Sequence, residues 1–82
     1  MKVLKFGGSS VATVEKIKGI AAYLKERTSQ EKLVVVVSAM GKTTNALLDL
    51  AAKASKQPNQ RELDRLLSTG EQQTIALLAM AL

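Results

Sequence analysis

Residues 33–41 read Leu-Val-Val-Val-Val-Ser-Ala-Met-Gly, and this stretch decides the fold class. The β-branched run over 33–37 has no polar interruption, which is typical of a strand covered on both faces in a parallel sheet. The Ser-Ala-Met-Gly segment after it marks the exit of that strand into a loop. Residues 1–6 predict a second short strand, which ends at Gly7 and Gly8.

Helical periodicity surrounds these two strands. Between them, apolar residues at helical spacing predict an amphipathic helix that has Ser10 or Thr13 as its N-cap. A second helix is predicted after Gly41, and a third from about Arg61 onward, with an interruption near residues 68–70. The predicted apolar face of the second helix consists of Leu47, Leu50, Ala51 and Ala54. The order β-α-β-α-α indicates an α/β fold in which helices pack on a parallel sheet.

Composition and charge exclude several classes of protein. The chain has 82 residues, a formal net charge of +5 and neither Cys nor His, which excludes thiolate and imidazole metal sites and His-dependent nucleophiles. Basic and acidic residues alternate, and no aromatic platform lies among the cations, so we expect no nucleic-acid partner. No apolar run approaches the roughly 20 residues that span a bilayer. We therefore expect a cytoplasmic protein without a membrane partner.

The two strands are too few for a self-sufficient sheet. They leave open edges, and no further strands are present to cover them. The apolar residues 75–82 end without a helix-stop signal. We therefore expect residues 1–82 to form the N-terminal part of a larger domain, and to self-associate through the open sheet edges or the last helix.

The first candidate site is the segment Lys5-Phe6-Gly7-Gly8-Ser9-Ser10. Glycines after a strand allow backbone N–H groups to approach an anion, and the following helix adds its positive end. Lys5 lies at the carboxyl end of the strand, where open α/β sheets bind ligands. A glycine turn with a lysine at the sheet rim explains the same residues, so both interpretations stand.

The second candidate site follows the Val-rich strand. Gly41-Lys42-Thr43-Thr44 resembles the end of a G-x-x-x-x-G-K-[ST] loop, but the first glycine of that motif would fall on Val36, so we reject a P-loop. What remains is a pair of hydroxyls at a helix start, which suits a carboxylate or a phosphate. Helix capping by Thr43 or Thr44 is the interpretation that the residues alone favour.

The third candidate is Glu71. Helical spacing places its carboxylate in an otherwise apolar stripe, where it would need a cation such as a ligand ammonium. The members of that stripe are Leu63, Leu67, Glu71, Ile75, Leu78 and Leu82. The alternative, favoured by the residues alone, is a capping box over Ser68–Glu71 that starts a fresh helix.

These segments together resemble the aspartokinases, a branch of the amino acid kinase family. Residues 3–11, Val-Leu-Lys-Phe-Gly-Gly-Ser-Ser-Val, are similar to the N-terminal signature of that branch. The strand over 34–37, with Ser-Ala-Met-Gly at 38–41 and Thr-Asn at 44–45, resembles the second motif. Ser-Thr-Gly-Glu at 68–71 resembles the third, so the similarity covers the whole chain.

The resemblance implies a three-layer αβα kinase domain, of which β-α-β-α-α is the start. It implies phosphorylation of the L-aspartate side-chain carboxylate by ATP, towards lysine, threonine and methionine. Lys5 would contact the ATP phosphates and stabilise the transferring phosphoryl group. The residues whose backbone would cradle those phosphates are Phe6, Gly7, Gly8 and Ser9. Thr44 and Glu71 match substrate-binding positions, with Glu71 facing the aspartate ammonium, and Ser38 is a further candidate near the phosphoryl path.

Other features of the family have no counterpart here. Its nucleotide-base pocket, a later catalytic Asp, an Arg for the substrate carboxylate and the regulatory ACT domains would all lie beyond residue 82. No protein metal ligand is assigned, and Mg²⁺ would arrive with the nucleotide. Residues 1–82 alone are therefore expected to be inactive. The alternative is a truncated, non-catalytic nucleotide-binding or assembly module derived from this family.

Overall fold

The computed structural model describes residues 1–82, which form two parallel strands and three helices. In chain order the elements are β1 (Lys2–Phe6), α1 (Val14–Thr28), β2 (Leu33–Val37), α2 (Thr43–Ala54) and α3 (Gln60–Ala81). This is the β-α-β-α-α order expected from the sequence, so the α/β class is confirmed. None of the helices has both the length and the apolar composition needed to cross a bilayer.

The two strands pair in parallel along their whole length. Lys2 lies opposite Leu33 at the amino end, and Phe6 lies opposite Val37 at the carboxyl end. A parallel pair needs a crossover connection, and α1 supplies it. Both strands therefore end at the same edge of the sheet, and their exit loops leave side by side.

Only one face of the sheet is covered. The side chains of the covered face pack in a core that is formed mainly with α1 and α3. The buried members of this core are Val11, Ile17, Ala21, Leu24, Val37 and Leu78. On the other face Val3, Val34 and Val36 remain 66%, 42% and 44% exposed. The expectation that β2 is covered on both faces is therefore wrong within these residues, because the helices of the chain share a single core.

Helix α3 is continuous, and the expected interruption near residues 68–70 is absent. The hydroxyls of Ser68 and Thr69 donate to the carbonyls of Arg65 and Leu66, one turn back, at 2.7 and 2.6 Å. The helix is continuous through both residues, and neither hydroxyl accepts from the backbone N–H of Glu71, so no capping box forms there. Asn59 caps the helix instead.

The buried stripe of α3 differs from the predicted one. It runs through Gly70, Thr74 and Leu78, whereas Glu71 and Ile75 are exposed. Close packing at Gly70 fixes this rotation of the helix, because a residue without a side chain allows a nearer approach than its neighbours do. Leu82 is also exposed, so the predicted stripe is wrong at Glu71, Ile75 and Leu82 and is confirmed at Leu63, Leu67 and Leu78, which are half-buried or buried.

Candidate functional site

The three candidate segments meet at the carboxyl edge of the sheet. The first loop connects β1 to α1, and the second connects β2 to α2. The backbone N–H of Ser38 donates to the carbonyl of Phe6 at 3.1 Å, and that of Gly41 donates to the carbonyl of Gly8 at 3.2 Å. The two loops thus extend the contact between the strands beyond the end of the sheet.

Glycines make this contact between the loops possible. A Cβ atom on Gly8 would lie 3.3 Å from the carbonyl oxygen of Ala39. Gly41 has a φ angle of +41°, and its Cβ would lie 3.4 Å from the carbonyl oxygen of Ala12. A larger residue at Gly41 would be strained by its backbone conformation alone.

Helix α3 docks on this junction through Gly70. A Cβ at Gly70 would lie 3.0 Å from the Cβ of Ala39, 3.1 Å from the Cγ2 of Thr43 and 3.3 Å from the Cδ1 of Leu47. The third segment is therefore packed against the second. Glu71, the next residue along α3, is held at the rim of the junction, with its side chain exposed and without an ion pair.

The first loop carries backbone donors without acceptors. The carbonyl of Gly7 accepts from the N–H groups of Ser10 and Val11, at 3.0 and 3.3 Å, which bends the chain into a tight turn. The N–H groups of Gly7, Gly8 and Ser9 donate to no group of the protein. Free, neighbouring backbone donors of this kind bind anions, phosphate among them.

Two side chains flank the first loop. Lys5 lies opposite Val36 on the uncovered face of the sheet, exposed and without an ion pair. Phe6 points the other way and packs against the core, while its carbonyl is bound by Ser38. Phe6 therefore anchors the loop, and the free donors begin at Gly7.

The start of α2 also presents free groups. Its N-cap is Lys42, which makes no side-chain cap bond, so the expectation that Thr43 or Thr44 caps the helix is wrong. Thr44 lies in the first turn with an exposed side chain. The N–H of Thr43 is bonded to the carbonyl of Met40 at 2.8 Å, which makes a side-chain cap unnecessary there. Ser38 is half-buried at the exit of β2.

Sequence reasoning missed one residue of this edge, Lys16. It lies in the first turn of α1, and its Nζ donates to the carbonyl oxygen of Ser9 at 3.0 Å. Thr13 caps α1, because its side chain accepts a hydrogen bond from the backbone N–H of Lys16 at 3.2 Å. Of the two predicted N-caps, Ser10 and Thr13, the second is therefore confirmed. The cap fixes the start of α1 and with it the position of Lys16, whose side chain bonds to the Ser9 carbonyl of the first loop.

The charges of this edge are uncompensated. The ion pairs of the chain join Arg27 to Glu31 and Arg65 to Glu62, and both lie outside the loops. The Arg27 guanidinium, through its hydrogen bond, holds the pKa of Glu31 below its ordinary value. No cluster of three or more Asp, Glu, His or Cys residues is placed to hold a metal ion. The first loop, with Lys5 and Lys16 beside it, is therefore suited to an anionic group, and the Glu71 carboxylate at the rim is suited to a cationic one.

The chain matches a known protein family along its whole length. The amino acid kinase family profile matches residues 1–82. The chain is 57% identical to an aspartokinase of Bacillus sp. (strain MGA3) and 59% identical to an aspartate kinase of Stutzerimonas stutzeri (strain A1501), each over 81 residues. These alignments cover 98% of the chain and 20% of each relative, so the chain spans about a fifth of their length.

A solved structure shows the same fold. The crystal structure of aspartate kinase from Synechocystis superposes on this chain with a TM-score of 0.93 at 55% identity. The superposition covers 99% of the chain and 14% of that structure's chain. The resemblance to aspartokinases drawn from the three motifs is thereby confirmed.

Proposed function

Because this chain belongs to the amino acid kinase family, we propose that it supplies the phosphate-binding part of an aspartate kinase. The reaction is transfer of the γ-phosphoryl group of ATP to the side-chain carboxylate of L-aspartate. The observation that carries the proposal is the set of free N–H groups at Gly7, Gly8 and Ser9 beside the unpaired Lys5. The relatives named aspartokinase support the choice of aspartate within the family.

The nucleotide side of the site is the first loop. Phosphoryl transfer depends on positioning and on stabilising the charge that spreads over the phosphate oxygens. The amides of the loop bind those oxygens, and Lys5 neutralises charge on the transferring group. Phe6 holds the loop in place through its core packing and its bond to Ser38. This division of roles needs neither His nor Cys.

The aspartate side of the site is the junction of α2 and α3. The free hydroxyl of Thr44 offers a hydrogen bond, and the Glu71 carboxylate provides the charge that an ammonium group requires. Ser38 is the first residue of the second loop, is bonded to Phe6 through its backbone N–H, and provides a hydroxyl near the path of the phosphoryl group. Packing at Gly70 fixes the rotation of α3, and with it the position of Glu71.

Mg²⁺ has no ligand set among these residues. No group of three carboxylates is present at the edge, so the chain does not fit a resident metal ion, and no step is assigned to it. In this proposal Mg²⁺ enters bound to ATP, as the hard oxygen ligands of the phosphates allow.

The remaining parts of the proposal concern the whole protein. Residues 1–82 form the N-terminal part of a kinase catalytic domain, in keeping with the fifth of the relatives' length that they span. We place the reaction in the cytoplasm, at the start of lysine, threonine and methionine synthesis. We expect residues 1–82 alone to give no turnover, because their site offers no pocket for the adenine base.

A second candidate function is a non-catalytic nucleotide-binding or assembly module. The uncovered sheet face favours it, because Val3, Val34 and Val36 present an apolar surface that a second copy of the chain or a partner would cover. Such a module would keep the phosphate loop and would self-associate through this face, the sheet edges or α3.

The experiment is an assay of ADP formation by the full-length protein with MgATP, in the presence and absence of L-aspartate. The aspartate kinase proposal predicts ADP formation that requires aspartate, and none from residues 1–82 in isolation. Size-exclusion chromatography in parallel tests the alternative. Nucleotide binding by a stable oligomer without aspartate-dependent turnover would favour the module and contradict the kinase.

A further inference from the structure

Lys16 is the only side chain that bonds to the phosphate loop from outside it. Its Nζ reaches back seven residues and donates to the Ser9 carbonyl at 3.0 Å, while its backbone N–H is held by the Thr13 cap. The side chain is exposed and makes no ion pair. Holding a lysine side chain in one geometry costs rotamer entropy, so an interaction of the ammonium group has to offset that cost.

The ammonium of Lys16 has donors to spare. A lysine ammonium carries three N–H donors and no acceptor, and here one donor is used. The residue that it bonds, Ser9, also carries one of the free amides of the loop. A phosphate bound to those amides would therefore lie beside a charge that no carboxylate compensates.

The charge of the ligand requires more than Lys5. A triphosphate carries several negative charges, and a bound anion is stabilised by each cation placed within a few ångströms in a partly desolvated site. Within the residues described, Lys16 is the cation fixed by a hydrogen bond to the loop itself.

We propose that Lys16 is a second phosphate-binding cation of the nucleotide site. It holds the loop through the Ser9 carbonyl and directs its remaining donors to a phosphate oxygen on the loop. This inference rests on the proposed function, because it assumes that the loop binds the phosphates of ATP. It differs from a purely structural role, in which Lys16 would brace the loop and its charge would not matter.

The test is isothermal titration of the full-length protein with ATP and with adenosine, which lacks phosphate, at low and moderate salt. The variants are Lys16→Met, Lys16→Arg and the matched control Lys18→Met, whose exposed side chain lies on the same helix without a hydrogen bond. We expect Lys16→Met to weaken ATP binding about tenfold or more, since charge-assisted hydrogen bonds contribute roughly that much. The salt dependence of ATP affinity should also weaken, while adenosine affinity stays unchanged.

Lys16→Arg should keep most of the ATP affinity, and Lys18→Met should keep all of it. Equal ATP affinities for Lys16→Met and Lys18→Met would overturn the inference. So would a loss of ATP affinity in Lys16→Met with the salt dependence unchanged, which would show that Lys16 braces the loop without its charge acting on the phosphates. If the unmodified protein binds ATP no better than adenosine, the phosphate loop itself is wrong, and the proposed function fails before Lys16 is considered.

Discussion

The two ends of the sheet differ in how their charged side chains and backbone N–H groups are bonded. At the amino end, in the turn between α1 and β2, Arg27 bonds to Glu31 at 2.7 Å and to the hydroxyl of Tyr23. The backbone N–H groups of Gln30 and Glu31 both donate to the carbonyl of Arg27. At that end one acidic and one basic side chain are paired and the turn bonds its own N–H groups, although Lys2 and Lys32 make no ion pair.

The carboxyl end leaves its groups unmatched. Lys5 and Lys16 have no acidic partner, and the amides of Gly7–Ser9 have no acceptor. Two glycines there allow close packing, since Gly8 lies against the carbonyl of Ala39 and Gly70 lies against the side chains of Ala39 and Thr43. The amino end thus contains the ion pair that stabilises the turn, whereas the carboxyl end keeps free amides, two unpaired lysines and the Glu71 carboxylate available for a ligand.

The largest effect that this contrast predicts is at Lys5. In the full-length protein, Lys5→Ala should lower kcat by about 10²–10³-fold, as removal of one group that stabilises transition-state charge does. Lys2→Ala is the matched control, because Lys2 lies on the same strand at the amino end. Steady-state assays of ADP formation measure both. Equal kcat values for Lys5→Ala and Lys2→Ala would contradict a catalytic role that is specific to the carboxyl end of the sheet.

Glu71 should give the next largest effect. Glu71→Gln removes the charge that we assign to the aspartate ammonium, which should raise the KM for aspartate about tenfold or more and leave kcat largely intact. Glu62→Gln, on the same helix, removes an exposed carboxylate paired with Arg65 and should leave this KM unchanged. An unaltered KM for aspartate in Glu71→Gln would contradict the assignment of Glu71 to the aspartate ammonium.

Packing at the carboxyl end is tested by two Gly→Ala variants that we expect to change the Tm in opposite directions. Gly70→Ala places a methyl group 3.0 Å from the Cβ of Ala39, and such overpacking costs about 1–3 kcal/mol, partly offset by the better helix propensity of Ala. Gly19→Ala meets nothing within 4 Å and should stabilise α1 by about 0.5–1 kcal/mol. Calorimetric melting of the full-length protein should show a lower Tm for the first and a higher Tm for the second. A higher Tm for Gly70→Ala would mean that α3 does not dock through Gly70.

The smallest effect belongs to the amino end. Arg27 lowers the pKa of Glu31, so this pair stabilises the fold at neutral pH, and the contribution is lost as the pH falls through the lowered pKa of Glu31 in the folded protein. Glu31→Gln should therefore lower the Tm slightly at pH 7, and the difference from the unmodified protein should vanish in acid. Glu26→Gln, an exposed control on α1, should show no such pH-dependent difference. A Tm difference for Glu31→Gln that persists unchanged in acid would contradict the ion pair.

The parts of the fold that local sequence determines were predictable. Both strands, α1 and its Thr13 cap follow from periodicity and from a single hydroxyl at the right place. The three motifs were also identified, and they do converge on one edge. Their convergence depends on the parallel register of β1 and β2, which the β-α-β order implies.

The remaining features depend on contacts between distant residues. The continuity and rotation of α3 are set by the approach of Gly70 to Ala39 and Thr43, which no local pattern around residues 68–71 reveals. A capping box was therefore a reasonable but wrong prediction there. Lys16 was overlooked because its partner is a backbone carbonyl, that of Ser9, and the sequence does not show where a carbonyl points.

A crystal structure of the full-length protein with a non-hydrolysable ATP analogue and Mg²⁺ would show whether the first loop binds the phosphates of ATP. We predict phosphate oxygens within hydrogen-bond distance of the N–H groups of Gly7, Gly8 and Ser9, with the Nζ of Lys5 on the terminal phosphate. An analogue bound with its phosphates away from this loop, and with those amides bonded only to water, would contradict the claim.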